Sequence, residues 1–124
     1  MKDYKEIIRK YFKSWLDSDI SKLEDIFAED VIYTECYGPQ YRGIENIKKW
    51  FSDWNTHGKV LKWEIKSFVE EESVTAAEWY FECRYDEKTY GFDGISLVTF
   101  NSEDRIIELK EFQSKAEHYY PYGK

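Results

Sequence analysis

Three residues in this chain combine a reactive side chain with an apolar setting: Glu35, Tyr11 and Glu111. Glu35 alternates onto the same strand face as Val31 and Tyr33, so a face with apolar members also carries a carboxylate. Burial disfavours the charged form of such a group, raises its pKa and suits it to take a proton from a carbon acid near neutral pH. The competing reading is a strand-end glutamate turned to solvent or paired with Lys or Arg. Tyr11 offers a phenol that can donate to a developing oxyanion, yet it also belongs to the apolar stripe of its helix, where an aromatic side chain is ordinarily core. Glu111 and Gln113 follow Ile107 and Leu109 on one face of the last strand, a face that begins apolar and ends polar as a tapered pocket would. In that case Glu35 and Glu111 share a cavity and one carboxylate raises the pKa of the other. The same strand with Ile106 and Phe112 inward instead leaves Glu111 in solvent.

Aromatic residues make up 19% of the 124 residues, with five Trp, eleven Tyr and eight Phe, which is more ring surface than a minimal core needs. Trp50, Trp54, Trp63, Trp79 and Phe81 are the expected walls of a pocket, although each alone reads as plain core. The tail His118-Tyr119-Tyr120-Pro121-Tyr122 is expected to pack over a pocket mouth or a second copy. His57 and His118 are the only histidines and do not cluster with Cys36 or Cys83, so no metal-ligand spacing and no phosphate loop is found, and a cofactor-free site is expected.

The elements that must position these groups follow from periodicity. Ile7, Ile8, Tyr11, Phe12, Trp15 and Leu16 mark one face of a first helix. A second is expected to carry Leu23, Ile26 and Phe27, with N-cap oxygens supplied by Asp17-Ser18-Asp19 and a capping box open to Ser21 and Glu24. Val31 to Cys36 reads as a short strand closed by Gly38-Pro39, and Ile44, Ile47, Trp50, Phe51 and Trp54 as a third helix. From Leu61 the period becomes two, giving four long antiparallel strands that turn near residues 70–73, 86–88 and 101–104. Gly91 and Gly94 are expected to bend the sheet. Helices followed by strands argue for one α+β domain over residues 1–124, with the helices on one face of the sheet. The formal charge of −7 disfavours nucleic acid and anionic lipid, and no apolar run approaches the roughly 20 residues of a membrane span. With no leader recognised at the first residues and two thiols expected reduced, the chain reads as a soluble cytoplasmic protein.

This order of elements resembles the nuclear-transport-factor-2-like superfamily, including ketosteroid isomerases and SnoaL-like polyketide cyclases. The resemblance is carried by Asp19-Ile20-Ser21-Lys22-Leu23 leading to Phe27-Ala28-Glu29-Asp30-Val31, by Arg42-Gly43-Ile44-Glu45-Asn46-Ile47, and by Val98-Thr99-Phe100 before Arg105-Ile106-Ile107-Glu108. It implies a cone-shaped curved antiparallel sheet wrapped around three N-terminal helices, an internal pocket for a small apolar molecule, and a homodimer. It implies that Glu35 stands where ketosteroid isomerases place their general base and Tyr11 where they place a hydrogen-bonding tyrosine. Ser96 stands at the position of the second oxyanion donor, which in ketosteroid isomerase is a protonated aspartate, and Asp93 lies three residues before it. A serine hydroxyl is a weaker acid, which puts steroid-type isomerisation in doubt and favours binding of an apolar ligand without turnover. Some dehydratases of this fold use a pocket histidine, for which His118 is the candidate. An interaction module with a pocket filled by its own side chains is the third reading.

Overall fold

The computed structural model describes residues 3–123. Helix α1 (Tyr4–Leu16) opens on Asp3, whose side chain accepts from the Lys5 N–H, and buries the stripe Ile7, Ile8, Tyr11, Phe12 and Trp15. A 3-10 turn (Ile20–Lys22), capped by Asp19 through the Ser21 N–H, runs into the single helical turn α2 (Leu23–Ile26). The expected second helix is therefore shorter than its pattern. Phe27 already has extended backbone and begins β1 (Phe27–Thr34), and of the capping groups expected here Asp19 serves, capping the 3-10 turn, in place of the Ser21–Glu24 box. Pairing of Phe27 with Ile106 in the sheet overrides its local helical spacing.

Strand β2 (Gln40–Arg42) has no sequence pattern of its own and pairs antiparallel with the end of β1, Tyr33 opposite Tyr41. The intervening loop is tied back on itself: the Glu35 N–H donates to the Pro39 carbonyl at 2.9 Å and the Gly38 N–H to that of Glu35 at 3.1 Å. Gly38 has φ of +114°, a conformation a side chain rarely adopts, so glycine is what lets this turn close and fixes Glu35 at its start. Helix α3 (Ile44–His57) follows and buries Ile44, Ile47 and Phe51 while leaving Trp50 and Trp54 half-buried.

Strands β3 (Gly58–Glu71), β4 (Val74–Tyr85), β5 (Lys88–Phe100) and β6 (Ile106–Lys115) complete a curved, unclosed six-stranded sheet in the order β2-β1-β6-β5-β4-β3. All neighbours run antiparallel except β1 and β6, which pair parallel, Tyr33 beside Leu109. The expected α+β cone is thus present, with one parallel seam in its sheet. Bends come from register shifts in β3, between Val60 and Lys62 and between Ile65 and Ser67. Gly91 and Gly94, expected at bends, sit in unbroken register with β4. They leave room for rings instead: a Cβ on Gly94 would lie 2.4 Å from the Trp79 ring, and one on Gly91 2.4 Å from the Tyr80 hydroxyl.

Strand β6 resolves the question of which face is inward. Thr99 pairs with Glu108 but Phe100 with Ile106, so Ile107 is an extra residue that flips the alternation. Before the bulge Ile106 is buried; after it Leu109 is buried and Glu111 points the same way, while Phe112 is 56% exposed. Each of the two readings of this strand holds for one part of it.

Candidate functional site

The concave side of the sheet closes over a chamber of about 40 Å³. Strands β3, β4 and β5 contribute Trp63, Trp79, Phe81 and Phe92; α1 and α3 contribute Trp15, Trp50 and Trp54. Two carboxylates reach it, Glu111 from β6 and Glu35 from the loop after β1, and Cys36 and Tyr37 continue that loop along its rim. At this size it admits a few water molecules or the end of a small ligand. A wider cleft of about 610 Å³ lies outside and shares Glu35, Tyr37, Trp50 and Trp54 with the chamber, so the two form one funnel.

The walls are set by ring packing. Trp63 lies flat on Phe12 at 3.8 Å between centroids and meets Trp79 and Phe81 edge to face. Its indole N–H has no acceptor among the described residues, a cost of about 1–3 kcal/mol that the stacking must offset. Trp79 is held differently, donating through Nε1 to the Ser96 hydroxyl at 2.9 Å.

Behind the chamber runs a chain of donors that ends on Glu111. The Trp15 indole N–H donates to the Tyr11 oxygen at 2.9 Å, and the Tyr11 hydroxyl donates to the Tyr33 oxygen at 2.6 Å. The Tyr33 hydroxyl donates to Glu111 Oε2 in a short hydrogen bond. Burial drives the pKa of both phenols well above the tyrosine range, with the charge of Glu111 adding to it, so both remain protonated donors. Glu111 is pushed up to about 7, first by burial and then by Glu35, while Tyr33 and the Cys36 backbone N–H pull it down. Glu35 is raised by burial and lowered by the Tyr41 hydroxyl, which donates to its Oε1 at 2.8 Å. The Cys36 thiol is pushed up to about 12 and that of Cys83 to about 11, both chiefly by burial, so neither is a thiolate near neutral pH.

Seven expected site residues therefore meet around one cavity: Glu35, Glu111, Trp50, Trp54, Trp63, Trp79 and Phe81. Tyr33 and Tyr11 are fully buried behind it and orient Glu111 instead of facing a ligand. Ser96 is also fully buried, with its hydroxyl engaged by Trp79, so it braces a wall. Gln113 is exposed and lines a separate outer groove, and His118 is exposed and lines none of the cavities described. The tail does not cover the mouth within this chain, since Tyr119, Tyr120 and Tyr122 are 79%, 63% and 99% exposed. Sequence reasoning missed Trp15, Cys36, Tyr37, Tyr41 and Phe92. The spacing of Tyr11 and Trp15, four apart on one helix, was the available signal for the first. Tyr41 could be found only through the unpredicted pairing of β2 with β1.

Residues 8–109 match the family model of the SnoaL-like domain, which spans nearly all the elements just described. The chain belongs to the SnoaL-like domain family. Solved structures share the fold at low identity. A hypothetical protein with a ketosteroid isomerase-like fold from Catenulispora acidiphila, in complex with trimethylamine, is 16% identical, with a TM-score of 0.78 over 90% of this chain and 86% of that one. A protein assigned by likeness to the SnoaL-like polyketide cyclases, from Shewanella denitrificans, is 12% identical, with a TM-score of 0.78 over 90% of each chain. An LEH-like epoxide hydrolase from M. tuberculosis is 9% identical, with a TM-score of 0.78 over 88% of this chain and 80% of that one. Among curated proteins none matches. This SnoaL-like fold thus carries cyclase-like and hydrolase-like members, and activity has to be argued from the site. Among the described residues no helix is long and apolar enough to cross a membrane.

Proposed function

We propose that this SnoaL-like protein is a cofactor-free small-molecule pocket protein of the cytoplasm in which Glu111 moves a proton on a compact, weakly polar carbonyl compound. The observation that carries the reading is a ring-walled carboxylate poised near neutrality and fixed by a directed donor chain. Ionised Glu111 takes a proton from the carbon beside the carbonyl, the electron pair passes into the enolate, and the protonated acid returns the proton to that carbon or its vinylogue. Glu35 shares the cavity and its charge helps hold the Glu111 pKa up, so the role first assigned to Glu35 passes to its neighbour. Tyr11 and Tyr33 act as positioning residues.

Hydrogen–deuterium exchange at the α-carbon of a small ketone such as cyclopentanone, followed by mass spectrometry in D₂O, checks this directly. Wild type is expected to exceed the buffer rate, and Glu111→Gln to lose roughly 10²–10⁴-fold. Equal exchange by both proteins would sink the base assignment. A second reading, ligand binding without turnover, is favoured by the position of Ser96, which accepts from the Trp79 indole, is fully buried and is not among the residues lining the chamber, so its hydroxyl is not presented to an oxyanion there.

The proposal includes a homodimer formed through the outer sheet face, where Ile95, Leu97 and Phe112 stand exposed together, Ile95 opposite Phe112. Light scattering is expected to give a dimer for wild type and a monomer for Phe112→Glu. A wild-type monomer would remove this part.

A further inference from the structure

The outer part of the funnel has a chemistry of its own. Six aromatic side chains face it, Tyr37, Tyr41, Trp50, Trp54, Tyr85 and Tyr90. The rings are set at varied angles: Trp54 meets Trp15 edge to face and Tyr85 at 48°, whereas Tyr41 lies flat on Trp50 at 4.5 Å. Two carboxylates, Glu35 and Asp53, share the wall, and neither is in an ion pair among the described residues. No Lys or Arg is among the residues lining the cleft, and the one histidine, His57, turns Nδ1 to Asp86 at 3.3 Å.

Such a surface discriminates by charge. An anion meets two carboxylates and no compensating cation. A neutral apolar group gains only the area it buries. A weakly hydrated organic cation gains that area, the attraction of the ring faces and the field of the carboxylates together. The charge of the whole chain, −7, adds long-range attraction of the same sign.

We propose that this outer cleft is a binding site for a small alkylammonium group, with any apolar remainder of the ligand directed into the chamber. The site goes beyond the proton-transfer reading and does not depend on it. Its occupant is defined by positive charge on a methylated nitrogen, whether or not Glu111 acts on the rest of the molecule.

The test compares choline with 3,3-dimethylbutan-1-ol, its uncharged isostere, by calorimetry at about pH 8, well above the ordinary carboxylate range. Choline has no carbonyl-activated C–H, so its binding reads this site alone and is blind to any failure of proton transfer. Choline is expected to bind at least tenfold more tightly than the alcohol. Glu35→Gln and Trp54→Leu, each confirmed as folded by circular dichroism, are expected to cut that preference at least fivefold. Indole resonances of Trp50 and Trp54 in the wild-type protein are expected to shift with choline, a readout that stands even where a variant misfolds. Equal affinity for the two probes, no binding of choline, or shifts confined to residues outside the cleft would each overturn the proposal.

Discussion

Glu111→Gln is expected to stabilise the protein in mild alkali and to leave its stability unchanged in acid. Glutamine keeps the shape of the side chain and the neutrality of the protonated acid, including an oxygen for the Tyr33 hydroxyl. In the wild type the folded pKa stands above the unfolded one, from an ordinary 4.5 up to about 7. Between these values the folded chain holds a proton that the unfolded chain has released, so stability falls as pH rises through that window. Below it both states are protonated and nothing is lost. Above it the loss is complete, at most roughly 3 kcal/mol for a displacement of this size. The groups facing Glu111 do not reverse the sign: Tyr33 and Tyr11 stay protonated, Cys36 stays a thiol, and Glu35 adds repulsion as it ionises. Urea unfolding of the two proteins from pH 4 to pH 9 checks this. The account requires curves that coincide in acid and separate through neutrality, with the variant the more stable. Parallel curves would mean that Glu111 titrates alike in both states.

Gly94→Ala is expected to cost about 3 kcal/mol, well beyond Gly91→Ala in the same strand. At position 94 the new Cβ falls 2.4 Å from the Trp79 ring and 2.5 Å from the carbonyl oxygen of Phe112. The carbonyl belongs to β6, which pairs Gln113 with Gly94, so relief means parting two central strands or tilting a wall of the chamber. At position 91 the nearest atom is the Tyr80 hydroxyl at 2.4 Å, the end of a side chain that can swing away at the loss of one partly buried hydrogen bond to Glu82. That loss is about 1 kcal/mol. Urea midpoints of the two variants measure the contrast, and similar values for both would show that Trp79 is not seated on Gly94.

Much of this architecture was legible in the chain because periodicity is a direct imprint of burial. The stripe from Ile7 to Trp15 and the alternation from Ala77 to Cys83 each report which side meets the core. What stayed hidden depends on contacts between segments distant in sequence. Strand β2 is three residues long and exists only by pairing with β1; one extra residue, Ile107, reverses the parity of β6. Phe27 is claimed by the sheet although its spacing fits a helix. The site divides in the same way. Glu35 and Glu111 were visible as carboxylates on partly apolar faces, and the tryptophans by their number. The role of Ser96 was not, because a resemblance transfers a position but not the partner that occupies its hydroxyl, here Trp79. Nor was the order of the donor chain, in which Tyr11 acts on Glu111 only through Tyr33.

The central claim is that Glu111 changes charge near neutral pH inside the ring-walled chamber, and the most direct measurement is its carboxyl carbon titration by NMR in wild type and in Tyr11→Phe. The expected midpoint in the wild type is about 7. In Tyr11→Phe, Tyr33 loses the hydroxyl that polarises it, donates less strongly to Glu111 Oε2, and the midpoint moves higher still. A midpoint near the ordinary 4.5, unmoved by the substitution, would contradict the account.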